Sequence, residues 1–211
     1  MVVYVASKNM RGKWAAPPHA DVHKVDVTSA QAKNTYRLGF SPMHVEEGRA
    51  FLGPDGDKYA CFEHFWQSRK VYSDVDYASA LAWWRKQKTP KRRYPGSKTK
   101  RVLYARDPRF PGEQLGYVDA RKLIYVPDYI AKTSSASGIL AMRKAQAHMA
   151  ERDVVVYDFD GPRADDGAPE CRELTLDLLR EKINDMRFPF GHGYVVAALL
   201  AGVPPSEYVD K

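Results

Sequence analysis

Apolar and polar positions cluster in ways that mark out most of the chain. Val2 to Ala6 is β-branched and aromatic and predicts a first strand; Val22 to Thr28, apolar at Val22, Val25 and Val27, predicts a second. Between them Ser7-Lys8-Asn9-Met10-Arg11-Gly12-Lys13-Trp14 mixes basic, amide and aromatic groups, which suits either the grip of an anion or an ordinary connection. After Leu38-Gly39-Phe40-Ser41-Pro42 and a turn at Gly53-Pro54-Asp55-Gly56-Asp57, the pattern predicts a helix from Phe62 to Tyr72, ended by Ser73-Asp74. Asp76 then caps a helix from Tyr77 to Lys88, stopped by Pro90. Lys122 to Val126 reads as a strand closed by Pro127-Asp128, and Gly138 to Arg152 as a helix with Ile139, Leu140, Met142 and Ala145 toward the core. Val154 to Phe159, continuously apolar or aromatic over its first four residues, predicts a central strand buried on both faces. Glu173 to Asp185 carries Leu174, Leu178, Leu179 and Ile183 on one helical stripe, and a last helix runs from Gly193 or Tyr194 to Gly202. The expected architecture is α+β, one compact domain of 211 residues with helices flanking a small sheet.

Composition narrows the class. With hydrophobic residues at 44% and aromatics at 12%, disorder and fibrous repeats are excluded. The apolar stretch Tyr194 to Gly202 is too short to span a bilayer, and Met1 to Ser7 lacks a basic region followed by a long apolar core, so a soluble, cytoplasmic chain without a membrane partner is expected. Cys61 and Cys171 show no zinc or disulfide spacing and read as reduced thiols.

Charge changes the picture more. The net charge of +7 is local: from Tyr77 to Arg106 there is no acidic residue, while Arg85, Lys86, Lys88, Lys91, Arg92, Arg93, Lys98, Lys100, Arg101 and Arg106 interleave with Trp83, Trp84, Tyr94 and Tyr104. Such a stretch attracts phosphates and offers rings for base stacking, or else is a solvated face whose tryptophans belong to the core. Pro90, Pro95 and Gly96 make residues 89–101 a basic loop.

On a helix, Glu63, Gln67 and Lys70 share one face of the run Glu-His-Phe-Trp-Gln-Ser-Arg-Lys. A carboxylate, an amide and an ammonium beside aromatic walls suit proton transfer or the stabilisation of positive charge, or else form an exposed Glu to Lys pair. The run from Asp57 to Lys70, with Glu63-His64, Gln67 and Lys70 at these spacings, resembles the signature of the NADAR family. Phe40-Ser41-Pro42 is similar to that family's Phe-Ser segment, and Phe190-Gly191-His192-Gly193-Tyr194 resembles its glycine-rich turn and closing helix. The family's lysine and asparagine before that helix are replaced by His192 and Gly193, and residues 1–37, without counterpart, read as an N-terminal extension.

The resemblance implies an N-glycosidase fold acting on ADP-ribosyl or ribosyl compounds, preferably ADP-ribosylated guanine in DNA or RNA, with small phosphoribosyl metabolites as an alternative. Glu63 falls on the family's catalytic glutamate. Cleavage builds oxocarbenium character that a carboxylate stabilises while another group protonates the leaving nitrogen. Lys70, Gln67, Arg92, Arg93 and Lys98 are the expected phosphate or substrate contacts, and Phe40 and Trp66 the expected stacking rings. The competing reading is a nucleic-acid-binding module without catalysis. A small basic enzyme of this kind also suits a phage or virus acting in host cytoplasm.

Asp158 and Asp160 close the apolar strand in an Asp-x-Asp-Gly run. It imitates the nucleophile motif of haloacid-dehalogenase-like phosphatases, but the 51 residues after Asp160 are too few for that fold. Either aspartate can be the second acid of a glycosidase or hold Mg²⁺ beside phosphate, and a turn with an N-capping role is the other reading. Gly191, His192 and Gly193 ahead of the last helix offer backbone N–H groups for phosphate, with Arg187 and Arg163 as further cations. No cofactor is expected beyond that Mg²⁺.

Overall fold

The computed structural model describes residues 1–8, 21–29, 34–46, 48–96 and 100–209. Its class is α+β, and the chain divides into two compact units, Met1–Ser41 with Tyr129–Lys211, and Pro42–Asp128.

The first unit is built on a four-stranded sheet of β1 (Val3–Ser7), β2 (Val22–Asp26), β7 (Asp153–Asp158) and β8 (Cys171–Glu173), in the order β2-β7-β1-β8. The first three strands run parallel and β8 pairs antiparallel with β1. Val154, Val155, Val156 and Tyr157 are buried in the central strand β7, as their unbroken apolar run predicts. Around the sheet lie α1 (Thr35–Phe40), α6 (Ala136–Met149), α7 (Leu176–Asn184), α8 (His192–Ala201) and α9 (Pro205–Tyr208). Asn34, Ser135 and Thr175 cap the first three through their side chains, and Gly202, in the left-handed region at φ 71°, ends α8.

Two features of this unit depart from the apolar pattern. Ile139 and Leu140 are exposed, and the buried face of α6 is Gly138, Ala141 and Ala145. The cause is the close approach of α1: a Cβ on Gly39 would lie 2.3 Å from Cβ of Ala141 and 2.5 Å from the Ser137 carbonyl. Only small side chains fit that seam, so the larger apolar residues turn outward. Near residue 173, the helix starts only after Thr175, because Cys171–Glu173 is spent on the sheet edge.

The second unit holds a hairpin of β3 (Phe51–Leu52) and β4 (Lys58–Tyr59), then α2 (Phe62–Ser68), β5 (Lys70–Tyr72), α3 (Tyr77–Lys86), β6 (Val102–Ala105) and α4 (Tyr117–Ala120). A π-helical turn, Arg121–Tyr125, leads on into α5 (Val126–Thr133). The helix expected to run to Tyr72 ends at Ser68. The Ser68 hydroxyl bonds back to the Phe65 carbonyl at 2.7 Å, and Lys70 to Tyr72 are drawn into antiparallel pairing with β6. The strand expected at Lys122 to Val126 is helical instead. A four-residue apolar run, Leu123 to Val126, fits a buried helix as well as a strand, and Pro127 offers no N–H, so the ladder widens and Val126 N–H reaches Arg121 O.

Gly39→Ala forces α1 and α6 apart and should cost about 1–3 kcal/mol, whereas Leu140→Ala on the exposed side should stay within about 0.5 kcal/mol. Urea unfolding of the two variants against wild type measures both.

Candidate active site

Glu63 stands in the first turn of α2, where the helix's partial positive charge favours a carboxylate. Its N–H donates to the Pro42 carbonyl at 2.8 Å, which ties the Phe-Ser-Pro segment's proline to the site. Its Oε1 accepts from Gln67 Nε2 at 2.7 Å, and the Tyr72 hydroxyl donates to Gln67 Oε1 at 3.3 Å. Burial first, and then the charge of Glu63, push the Tyr72 phenol up to about 12, so it stays a donor.

Lys70 has left the helix that was expected to carry it and opens β5. It still joins the group: its Nζ lies 5.1 Å from the centre of the Trp66 ring, and it interacts electrostatically with Glu63. Burial lowers its pKa, Glu63 opposes that, and Arg93 adds to it. Trp66 and Lys70 also line a cleft of about 150 Å³ with Leu103, Tyr104, Leu115 and Tyr117. Glu63, Gln67, Lys70 and Trp66 are therefore assembled in the second unit, beside an apolar cleft.

His64, the next residue on α2, is fully buried. Its Nε2 accepts the Lys91 N–H at 2.9 Å, which leaves the proton on Nδ1, a nitrogen without a partner among the described residues. Burial, then the Lys91 charge, lower its pKa to about 4. Its ring packs against Trp84, which is core, so of the paired tryptophans only Trp83 is partly exposed. The side chains of Lys86, Lys88, Lys91, Arg92, Arg93 and Arg101 are exposed. Lys98 lies outside the described residues, as does most of the Ser7 to Trp14 segment.

Arg69 was not singled out by the sequence pattern. It is 1% exposed, bonds Asp55 at 2.7 Å and lies 3.8 Å from Asp107. Arg109 then bridges Asp107 and Asp128 at 2.7 and 2.6 Å. A lone arginine inside an aromatic-rich helix end, with aspartates in both flanking turns, is the one signal that could have pointed to it.

The other candidates sit in the first unit. Asp158 is buried at the end of β7; its Oδ1 accepts the Phe159 N–H at 2.7 Å and its Oδ2 accepts the Gly193 N–H at 2.9 Å. His192 Nδ1 lies 3.1 Å from the same Oδ2, and His192 Nε2 lies 2.6 Å from the Val27 carbonyl. The expected phosphate seat at Gly191 to Gly193 is thus corrected: Asp158 itself is the anion at the start of α8. Cβ atoms on Gly191 and Gly193 would come within 2.5 Å of Asp158 Oδ2 and 2.6 Å of Asp158 Cβ, so both glycines are needed for this closeness. Asp160 is exposed. Arg187 is bound to Asp185 and Asp165 at 3.0 Å each, and Arg163 Nη1 bonds the Gly167 carbonyl. Phe40, expected to stack on a base, is fully buried and faces Tyr36, its carbonyl bonded by the Tyr129 hydroxyl. A further buried charge, Asp26, is met by Lys8, Arg37 and Thr28. Burial works to raise its pKa, and hydrogen bonds from those three outweigh it and hold the carboxyl below its usual value.

Residues 7–166 match a family model described as a family of unknown function, DUF6939. The chain belongs to that family. No curated protein and no solved structure matches it. The matched span covers the whole Glu63 group and both aspartates of the Asp-x-Asp-Gly run, and stops before Arg187 and the start of α8. Among the described residues of this DUF6939 chain, no helix is long and apolar enough to cross a membrane, and no three His, Cys, Asp or Glu are grouped to hold a metal.

His64 sets a pH dependence. Its folded pKa of about 4 lies below its ordinary 6.5, so the unfolded chain binds the proton first as pH falls. Its contribution to stability is complete above pH 6.5 and is lost as pH drops toward 4. Differential scanning calorimetry between pH 7.5 and 4.5 should show wild type losing about 3–5 °C more in Tm than His64→Gln.

Proposed function

We propose that this chain is an N-glycosidase that cleaves, or exchanges the base at, the N-glycosidic bond of an ADP-ribosyl or ribosyl adduct, preferably ADP-ribosylated guanine in nucleic acid. The observation that carries the reading is the Glu63 carboxylate. One of its oxygens is oriented by Gln67, no described residue bonds the other, and it interacts with the Lys70 ammonium, which with Trp66 also lines an apolar cleft. The NADAR-like spacing of Glu63, His64, Gln67 and Lys70 supports the same reading.

In this reaction the bond from the anomeric carbon to the base nitrogen breaks, its electron pair leaves with the base, and positive charge builds on the sugar. Glu63 opposes that charge and then takes a proton from the attacking water. Lys70, whose burial makes its ammonium a readier donor than an exposed lysine, supplies the proton to the leaving nitrogen. The apolar cleft beside Trp66 is where this reading seats the base. The same chemistry serves a small phosphoribosyl metabolite.

A second reading, a nucleic-acid-binding protein without catalysis, is favoured by one observation. Lys86, Lys88, Lys91, Arg92, Arg93 and Arg101 are exposed, and none forms an ion pair among the described residues. Such a surface binds phosphate backbone through counterion release, with affinity falling steeply as salt rises.

Mass spectrometry decides between them. A guanine-ADP-ribosylated oligonucleotide, with NAD and phosphoribosyl compounds in parallel, is incubated with wild type and with Glu63→Gln. Loss of the ADP-ribosyl mass with wild type, slowed about 10²–10⁴-fold by Glu63→Gln at unchanged circular dichroism, is the expected result. Intact substrates together with a salt-sensitive gel shift that Glu63→Gln leaves in place would favour the binding protein.

A further inference from the structure

Of the cations between Tyr77 and Arg106, those on one short turn are fastened to the Glu63 helix. The Lys91 N–H donates to Nε2 of His64, which directly follows Glu63. Nε of Arg92 donates to Sδ of Met43 at 3.3 Å, and Met43 follows Pro42, whose carbonyl receives the Glu63 N–H. Arg93 and Glu63 act on the same Lys70 ammonium with opposite sign. Tyr94 stacks on Tyr72, ring centres 6.0 Å apart and planes within 24°, and the Tyr72 hydroxyl holds the amide that holds Glu63. On the other side Tyr94 meets Trp83 edge-on at 5.3 Å.

The turn is therefore tied to the site by the Lys91 N–H and by the side chains of Arg92 and Tyr94, while Lys91, Arg92 and Arg93 are exposed and form no ion pair among the described residues. A turn held in this way keeps the Arg92 and Arg93 side chains close to the Glu63 group. Guanidinium forks match phosphate oxygens in pairs, which a solvated lysine face does not.

We propose that His64 is a positioning residue that seats the turn Lys91–Tyr94 on α2, and that Arg92 and Arg93 of that turn bind the phosphate groups of the ligand. The placement of that ligand's glycosidic bond at Glu63 rests on the N-glycosidase reading; the phosphate subsite itself does not. The requirement at position 64 is an acceptor at the end of a buried side chain. Neutral imidazole supplies it, and a glutamine Oε1 reaches a similar place. The phosphates are those of a nucleoside diphosphate group or of a nucleic-acid backbone, and the two sources are separable.

The test is a titration of the full chain with ADP-ribose, adenosine and a single-stranded DNA 12-mer, using wild type, Glu63→Gln, Arg92→Gln with Arg93→Gln, His64→Ala and His64→Gln. Wild type and Glu63→Gln should bind at least one phosphate-bearing probe about tenfold more tightly than adenosine. The double arginine variant and His64→Ala should both lose that preference, and His64→Gln should recover most of it. If His64→Ala does not fold, the double variant and the glutamine rescue still decide.

A phosphate preference that survives in the double arginine variant overturns the subsite, as does wild-type binding that ignores phosphate. An undiminished preference in a folded His64→Ala overturns the positioning role. Cleavage of an ADP-ribosyl adduct unaffected by Arg92 and Arg93 leaves the glycosidase without this subsite. Phosphate binding that needs Arg92, Arg93 and His64 while every N-glycoside survives keeps the subsite and removes the glycosidase. An ADP-ribose arm that responds while the 12-mer does not identifies a free nucleotide as the source, and the reverse identifies nucleic acid.

Discussion

The guanidinium of Arg69 is out of water, and a buried cation is tolerated only where carboxylates meet it. Asp55 comes to it from the turn between β3 and β4, and Asp107 from just beyond β6. Arg109 then shares Asp107 with Asp128, at the start of α5. One chain of charges thus joins four segments of the second unit, and its first member is the residue that closes α2. The end of α2 is where Lys70 turns away into β5, so the position of the ammonium relative to Glu63 follows from where Arg69 is held. Removing one partner of such a buried pair costs about 3–5 kcal/mol, more than a surface ion pair contributes, which makes this network structural before it is anything else.

The first unit meets a similar constraint with a different partner. Asp158 is buried at the carboxyl end of a parallel strand, where α/β folds commonly place ligands. Here both oxygens are taken by the chain itself, through Phe159 and Gly193, with His192 beside them. The Glu63 carboxylate is the contrast: one oxygen is oriented by a neighbouring amide and the other has no partner among the described residues. That difference in hydrogen bonding, more than residue type, separates the aspartate that closes a fold from the glutamate proposed to act.

Much of this was legible in the sequence, for physical reasons that can be named. An unbroken apolar run marked β7, a capping aspartate marked the start of α3, and Gly202 marked the end of α8. The closeness of Glu63, Gln67 and Lys70 was legible too, although by a different route: spacing assumed one helix, whereas a turn at Ser68 and pairing with β6 keep the lysine near. What could not be read were the effects of partners far along the chain. The short apolar run before Pro127 has no periodicity that separates strand from buried helix. The face of α6 is chosen by Gly39, a residue about a hundred positions earlier. The glycines before α8 carry the composition of a phosphate seat, and only the fold shows that Asp158 fills it.

The start of α8 carries a wider consequence. The helix is almost wholly buried and has no carboxylate, lysine or arginine of its own, so bulk water does little to neutralise its dipole. The partner of the Gly193 N–H in its first turn is instead Asp158, from within the same chain. A helix end compensated in this way is screened by salt much less than an exposed one, since mobile ions act on charges in solvent and reach poorly into a dry interior.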